Sequence, residues 1–231
     1  MKKLLTIILF FIPAITYSQA NILDIGAEGG FSIASLRGNE FIEKYHSARI
    51  GYTGGLFAQY NFRKIISIRT GCYFERKGSA IELEATDVTG QAIGIIHGAS
   101  NFDYLTIPLL LRASFGKKWR FFLNAGPYIS FLLKETTHTD AFNDFPESDS
   151  DNTNHYKNTE TGLSVGIGLS YALKKRWDLS FEVRDNYGLE NISELEVYNG
   201  GTIKTNALNF LLGITYKLGQ RNTDNQKPAN P

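Results

Sequence analysis

A long alternation whose apolar side carries no charge constrains this chain more than any other feature. Residues 104–134 read Y-L-T-I-P-L-L-L-R, then a short basic turn S-F-G-K-K, then W-R-F-F-L-N-A-G-P-Y-I-S-F-L-L-K. Every second residue is apolar: Leu105, Ile107, Leu109, Leu111 and Ala113 in one run, and Trp119, Phe121, Leu123, Ala125, Pro127, Ile129, Phe131 and Leu133 in the other. Period two defines strands, because successive side chains of a strand point to opposite faces. The other face mixes polar, charged and small residues, from Thr106 and Arg112 to Arg120, Asn124, Gly126 and Ser130. A hairpin oily on one side requires an oily partner, and that partner is either a protein core or a lipid bilayer.

The rest of the chain carries the same pattern. Strands are expected at 23–35, 50–62 and 66–76, in the two arms of the hairpin, and at 161–173, 177–184 and 208–218, eight in all. The third alternation continues through 81–85 and returns at 92–96 as a hairpin projecting beyond the main sheet. Connections alternate between long and short. Residues 37–49, 135–159 and 185–205 are long polar loops, whereas R-K at 63–64, K-K at 117–118 and K-K-R at 174–176 are tight and basic.

The N-terminus has two lysines, an apolar run over 4–15 and small residues at Ser18 and Ala20, the pattern of a cleaved secretory signal peptide over 1–20. That run is shorter than the roughly 20 residues a membrane-spanning helix needs. Residues 21–218 are then one barrel domain, and the polar end at 219–231 a disordered tail. The net charge of +1 gives no reason to expect a nucleic-acid partner. Cys72, the single cysteine, reads as a small hydrophobe in a strand.

Four observations favour the bilayer. The apolar rows are free of charge, as a face in hydrocarbon requires, where an Arg or Lys costs about 2–4 kcal/mol at the midplane. The opposite rows are small as well as polar, as in Gly162, Ser164, Gly166, Gly168 and Ser170, which suits a crowded lumen better than a solvated surface. Short turns at one end and long loops at the other match the periplasmic and external ends of outer-membrane barrels. Aromatics near strand ends, such as Trp119, Trp177, Tyr171 and Tyr216, suit interfacial girdles. The expected fold is therefore all-β: an eight-stranded antiparallel up-and-down transmembrane β-barrel in the cell outer membrane. The charges of the polar rows, Glu28, Arg69, Glu75, Arg112, Arg120, Glu182, Arg184 and Lys217, then point into a narrow lumen and must pair. Arg112 and Arg120 are expected to reach Glu28, Glu75 or Glu182.

Y-L-T-I-P-L-L-L-R at 104–112 with N-A-G-P-Y-I-S-F-L-L at 124–133 resembles the PorT-like outer-membrane β-barrel family of Bacteroidetes. The resemblance implies an outer-membrane location, usually with no defined activity. Its founding member is associated with protein secretion and gliding-type export machinery.

Catalytic signatures are absent from the sequence. There is no Gly-rich phosphate loop, no nucleophile elbow, no paired Cys, and D-S-D-N-T-N-H lacks the spacing of a calcium loop. His46, His97, His138 and His155 all fall in the external connections, the last two among acidic residues. No catalytic residue, metal or cofactor is expected. The expected protein is a non-enzymatic monomer in outer-membrane lipid, whose external loops meet protein partners or secretion machinery. The alternatives are a narrow porin-like channel and a loop-based enzyme acting on lipid A or peptides.

Overall fold

The computed structural model describes residues 23–218, apart from 64, 144 and 175 and the side chain of residue 198. The expected signal peptide and polar tail lie outside the described residues. Among the described residues nine strands form: β1 (Leu23–Arg37), β2 (His46–Asn61), β3 (Ile66–Thr86), β4 (Ala92–Gly116), β5 (Trp119–Thr139), β6 (Ser148–Asp151), β7 (Thr159–Ala172), β8 (Trp177–Gly188) and β9 (Lys204–Lys217). Every pairing is antiparallel between neighbours, and β1 closes on β9, from Asp24 opposite Lys217 to Arg37 opposite Lys204. Eight strands make the ring, with β5 pairing β7 directly. β6 stands outside it, paired only to the far end of β5. Closure removes the unpaired backbone edge that a bilayer would not tolerate.

The barrel is inside out relative to a soluble protein. Leu56 is 69% exposed and Ile50 75%, whereas Arg69 and Lys77 are each 1% exposed. The apolar rows of the sequence face outward and the polar rows inward, which is the arrangement a hydrocarbon surround selects. No described helix is long and apolar enough to cross a membrane; the strands do the crossing.

The strands run further at the external end than the alternation alone predicts. β3 and β4 pair as far as Thr86 opposite Ala92, and β5 follows β4 to Thr139, so a sheet of three strands edged by β6 rises above the barrel. The expected loop at 37–49 holds a short helix, α1 (Glu40–Tyr45), and β2 begins at His46. The expected loop at 135–159 contains the end of β5 and all of β6. Extension also carries the outward faces past the uncharged apolar rows. At their external ends they carry Arg76 on Asp103 (Nε to Oδ1, 2.6 Å) and Arg37, whose guanidinium lies 3.7 Å over the Tyr187 ring.

At the periplasmic end the turns are tight. Gly116 has φ +116, and a Cβ there would meet the Trp119 carbonyl oxygen at 2.1 Å, so this turn requires glycine.

Candidate functional site

Parity places the site. β1, β3, β4, β5, β8 and β9 each aim at least one charge at the barrel axis, and β7 aims Glu160 followed by a row of glycine and serine. A Cβ on Gly168 would meet the Phe122 ring at 2.2 Å, and one on Gly166 would meet Glu182 Oε1 at 2.6 Å. The small row of β7 is thus the space into which large side chains of β5 and β8 lean.

The middle of the lumen holds three guanidiniums and two carboxylates. Glu28 accepts from Arg69 Nη1 (2.9 Å) and Arg184 Nη2 (2.5 Å), and Glu182 accepts from Arg184 Nε (2.7 Å) and Arg112 Nη2 (3.1 Å). Asn124 bridges Arg112 and Glu182, donating to Glu182 Oε1 at 2.7 Å while accepting from Arg112 Nε at 2.7 Å. Gln59 Oε1 accepts from Arg69 Nε and Nη2 and from Arg112 Nη1. The Arg69 guanidinium lies 3.7 Å over the Phe57 ring and that of Arg112 3.8 Å over Phe122. Delocalised, weakly hydrated guanidinium suits this use, since it can stack and pair at once.

Towards the external mouth, Lys77 Nζ sits 3.2 Å from Glu160 and 3.7 Å from Glu75, between the rings of Tyr104 and Tyr128. Glu160 Oε1 also accepts from the Tyr128 and Thr205 hydroxyls, each at 2.6 Å. Glu75 takes Asn186, Asn209 and Thr106. Towards the periplasm, Asp178 receives both Arg120 and Lys217, the latter at 2.6 Å, and Asp24 accepts from Asn61 at 2.8 Å.

Across the three levels, among the described residues, six cations, Arg69, Lys77, Arg112, Arg120, Arg184 and Lys217, face six carboxylates, Asp24, Glu28, Glu75, Glu160, Asp178 and Glu182, while a seventh buried carboxylate, Glu135, lies beyond them on β5 and is held by the Ser100 and Thr137 hydroxyls. The surplus cation of the middle level is balanced by the surplus carboxylate above it. An isolated charge here would carry a penalty of several kcal/mol, so balance is a condition of burial.

All eight charges expected in the lumen point into it, but their partners differ in part from expectation. Arg112 reaches Glu182, whereas Arg120 pairs with Asp178 and with none of the three glutamates expected for it. Lys77 and Glu160 lie just past the points, 76 and 161, at which the alternation ends one strand and begins another. Extending each row by one step of two, from Glu75 to Lys77 and from Gly162 to Glu160, finds both.

Above the charges lies an apolar cap that no periodicity announces. Ile42 of α1 and Ile192 of the β8–β9 connection pack onto Leu36, Phe102, Tyr104 and Leu132, with Tyr156 edge-on to Phe102 at 4.7 Å. The connections are knitted by backbone: Lys157 N donates to Ile192 O and Ile192 N to Ile203 O, both 2.8 Å. The Asn39 side chain caps α1 at Ile42 N and donates to Thr202 O at 3.0 Å. Among the described residues, no cluster of three or more His, Cys, Asp or Glu is arranged to hold a metal ion.

A ring of antiparallel strands, oily outside and charged within, closed by tight turns at one end and long connections at the other, defines an outer-membrane β-barrel. Residues 17–194, more than half of the chain, match the outer membrane protein beta-barrel domain, and the chain belongs to that family. Its place is the outer membrane. No curated protein matches the sequence. Among solved structures, a major outer membrane protein from Thermus thermophilus aligns at TM-score 0.50 and 12% identity over 86% of this chain and 100% of its own. Neisserial surface protein A aligns at 0.47 and 17% over 87% and 99%. The N-terminal β-barrel domain of Pseudomonas aeruginosa OprF aligns at 0.43 and 15% over 87% and 99%. At such identities the likeness is one of fold.

Proposed function

We propose that this protein is a plugged, non-enzymatic barrel of the PorT-like kind, a monomer that uses the membrane as an anchor and acts through its external connections, as an interaction or secretion-support component. The observation that carries this reading is the lumen. Six cations and six carboxylates occupy it, and the apolar cap of Ile42, Ile192 and Phe102 closes its external mouth. An eight-stranded ring has an interior just wide enough for side chains, so these groups leave no continuous aqueous path. What remains free to meet partners is the sheet of β3, β4, β5 and β6 above the membrane, with Ile93 and Ile95 on β4 and Phe145 in the β5–β6 connection each at least half exposed.

Planar-bilayer recording of the purified protein tests the plug. Silence at moderate voltages is expected, and discrete openings whose size follows salt concentration would overturn it. Incubation with lipid A and peptide substrates tests the non-enzymatic part, and turnover abolished by His138→Ala or His155→Ala would overturn that.

A further inference from the structure

The two ends of the barrel carry opposite charge. The periplasmic turns at 63–64, 117–118 and 174–176 contain seven Lys and Arg and no Asp or Glu, while the external connections at 38–45, 87–91, 140–147, 152–158 and 189–203 contain nine carboxylates against two lysines. The described cations of these turns, Arg63, Lys117, Lys118, Lys174 and Arg176, all stand at the end of the barrel opposite the acidic connections.

The geometry at two of these turns repeats. Lys118 directly precedes Trp119, which pairs across the sheet with Tyr171. The rings are 4.5 Å apart, and Lys118 Nζ lies 5.2 Å from the Tyr171 ring. Arg176 directly precedes Trp177, which pairs with Tyr216 at 4.8 Å, and Arg176 Nη1 donates to the Tyr216 hydroxyl at 2.9 Å. Both indoles belong to the lipid-facing rows, 55% and 40% exposed. In the third turn Arg63 directly follows Phe62, which packs edge-to-face on Tyr60. Each turn therefore presents a cation next to an aromatic pair, amphipathic Trp–Tyr at two of them, the order in which a phospholipid presents its phosphate and its glycerol ester region.

We propose that the three basic turns are binding sites for anionic phospholipid headgroups of the periplasmic leaflet. The phosphate engages Lys118 or Arg176 and their neighbouring lysines, and the Trp–Tyr pair holds the glycerol backbone and first methylenes. Only the periplasmic leaflet lies within reach of these turns, which selects phospholipid as the source of the phosphate. Clustered Lys and Arg at a membrane surface attract anionic lipid with a gain of about fivefold in affinity per charge.

The chain has two tryptophans, and both stand at the proposed sites, so their fluorescence reports the sites directly. The full protein is reconstituted in phosphatidylcholine vesicles containing a minor fraction of brominated phosphatidylglycerol. Quenching well above the bulk mole fraction is expected at low salt, declining towards it at high salt as charges are screened. Brominated phosphatidylcholine in the same vesicles is expected to quench no more than its bulk fraction. Lys118→Gln and Arg176→Gln should each lower the selectivity by up to about fivefold, while Asp149→Asn on the external arm leaves it unchanged. Quenching that follows bulk composition in the native protein would overturn the proposal, as would selectivity that survives both turn substitutions together. The salt series on the native protein needs no variant, so a variant that fails to fold leaves the test intact.

Discussion

The same chemistry, a cation between two carboxylates, occurs in two regions of this molecule with different consequences. In the lumen, Arg184 bridges Glu28 and Glu182, all three almost fully buried. On the external arm, His138 bridges Asp149 (Nδ1, 2.7 Å) and Asp140 (Nε2, 3.1 Å), and all three are more than a third exposed. Water screens the second set and cannot reach the first. Ion pairs in the lumen are therefore obligatory, because a missing partner strands a charge. Those on the arm are adjustable by pH and salt.

The largest test removes the lumen cation. Arg184→Ala leaves Glu182 with Arg112 and Glu28 with Arg69, unbalances the lumen, and is expected to cost about 3–5 kcal/mol, read as a lowered urea midpoint for the refolded protein in detergent. A loss under about 1 kcal/mol would erase the distinction between the two regions. Ile192→Ala empties part of the cap and should cost about 2–4 kcal/mol, with faster proteolysis of the β8–β9 connection as a second readout. Asn39→Ala removes the helix cap and the tie to Thr202, with an expected loss of about 1 kcal/mol confined to α1 and its neighbours, seen by amide exchange.

The smallest effect belongs to the arm. Hydrogen bonding to Asp149, with Asp140 and Glu147 nearby, raises the His138 imidazole above its ordinary 6.5. A raised folded pKa means that the clasp is complete below pH 6.5 and is lost as pH rises through the higher folded value. Amides of β6 should therefore exchange faster above that value, with no change in global stability. An NMR titration placing His138 at or below 6.5 would contradict this.

Parity makes most of the lumen legible in the sequence. Glu28, Arg69, Glu75, Arg112, Arg120, Glu182, Arg184 and Lys217 all follow from period two plus the choice of lipid for the apolar side, since one assignment of faces fixes every residue of a strand. Lys77 and Glu160 follow the same rule but lie past the points where turn-like composition suggests that a strand ends. The cap is not legible in this way: Ile42 lies in a short acidic helix and Ile192 in an irregular connection, neither of which has a period to read.

By itself, then, the sequence determined the fold class, the eight strands of the ring, their facing and the membrane side of each connection. These depend on local alternation and on connection length, quantities written along the chain. The tertiary structure alone decided which charge pairs with which, how far β3, β4 and β5 rise above the bilayer, and how three separate connections close one mouth. Such facts depend on ring closure and register, which bring Glu28 to Arg184 across 156 residues and Lys77 to Glu160 across 83. Contacts at that separation are selected by the closed geometry and leave no periodic trace in the chain.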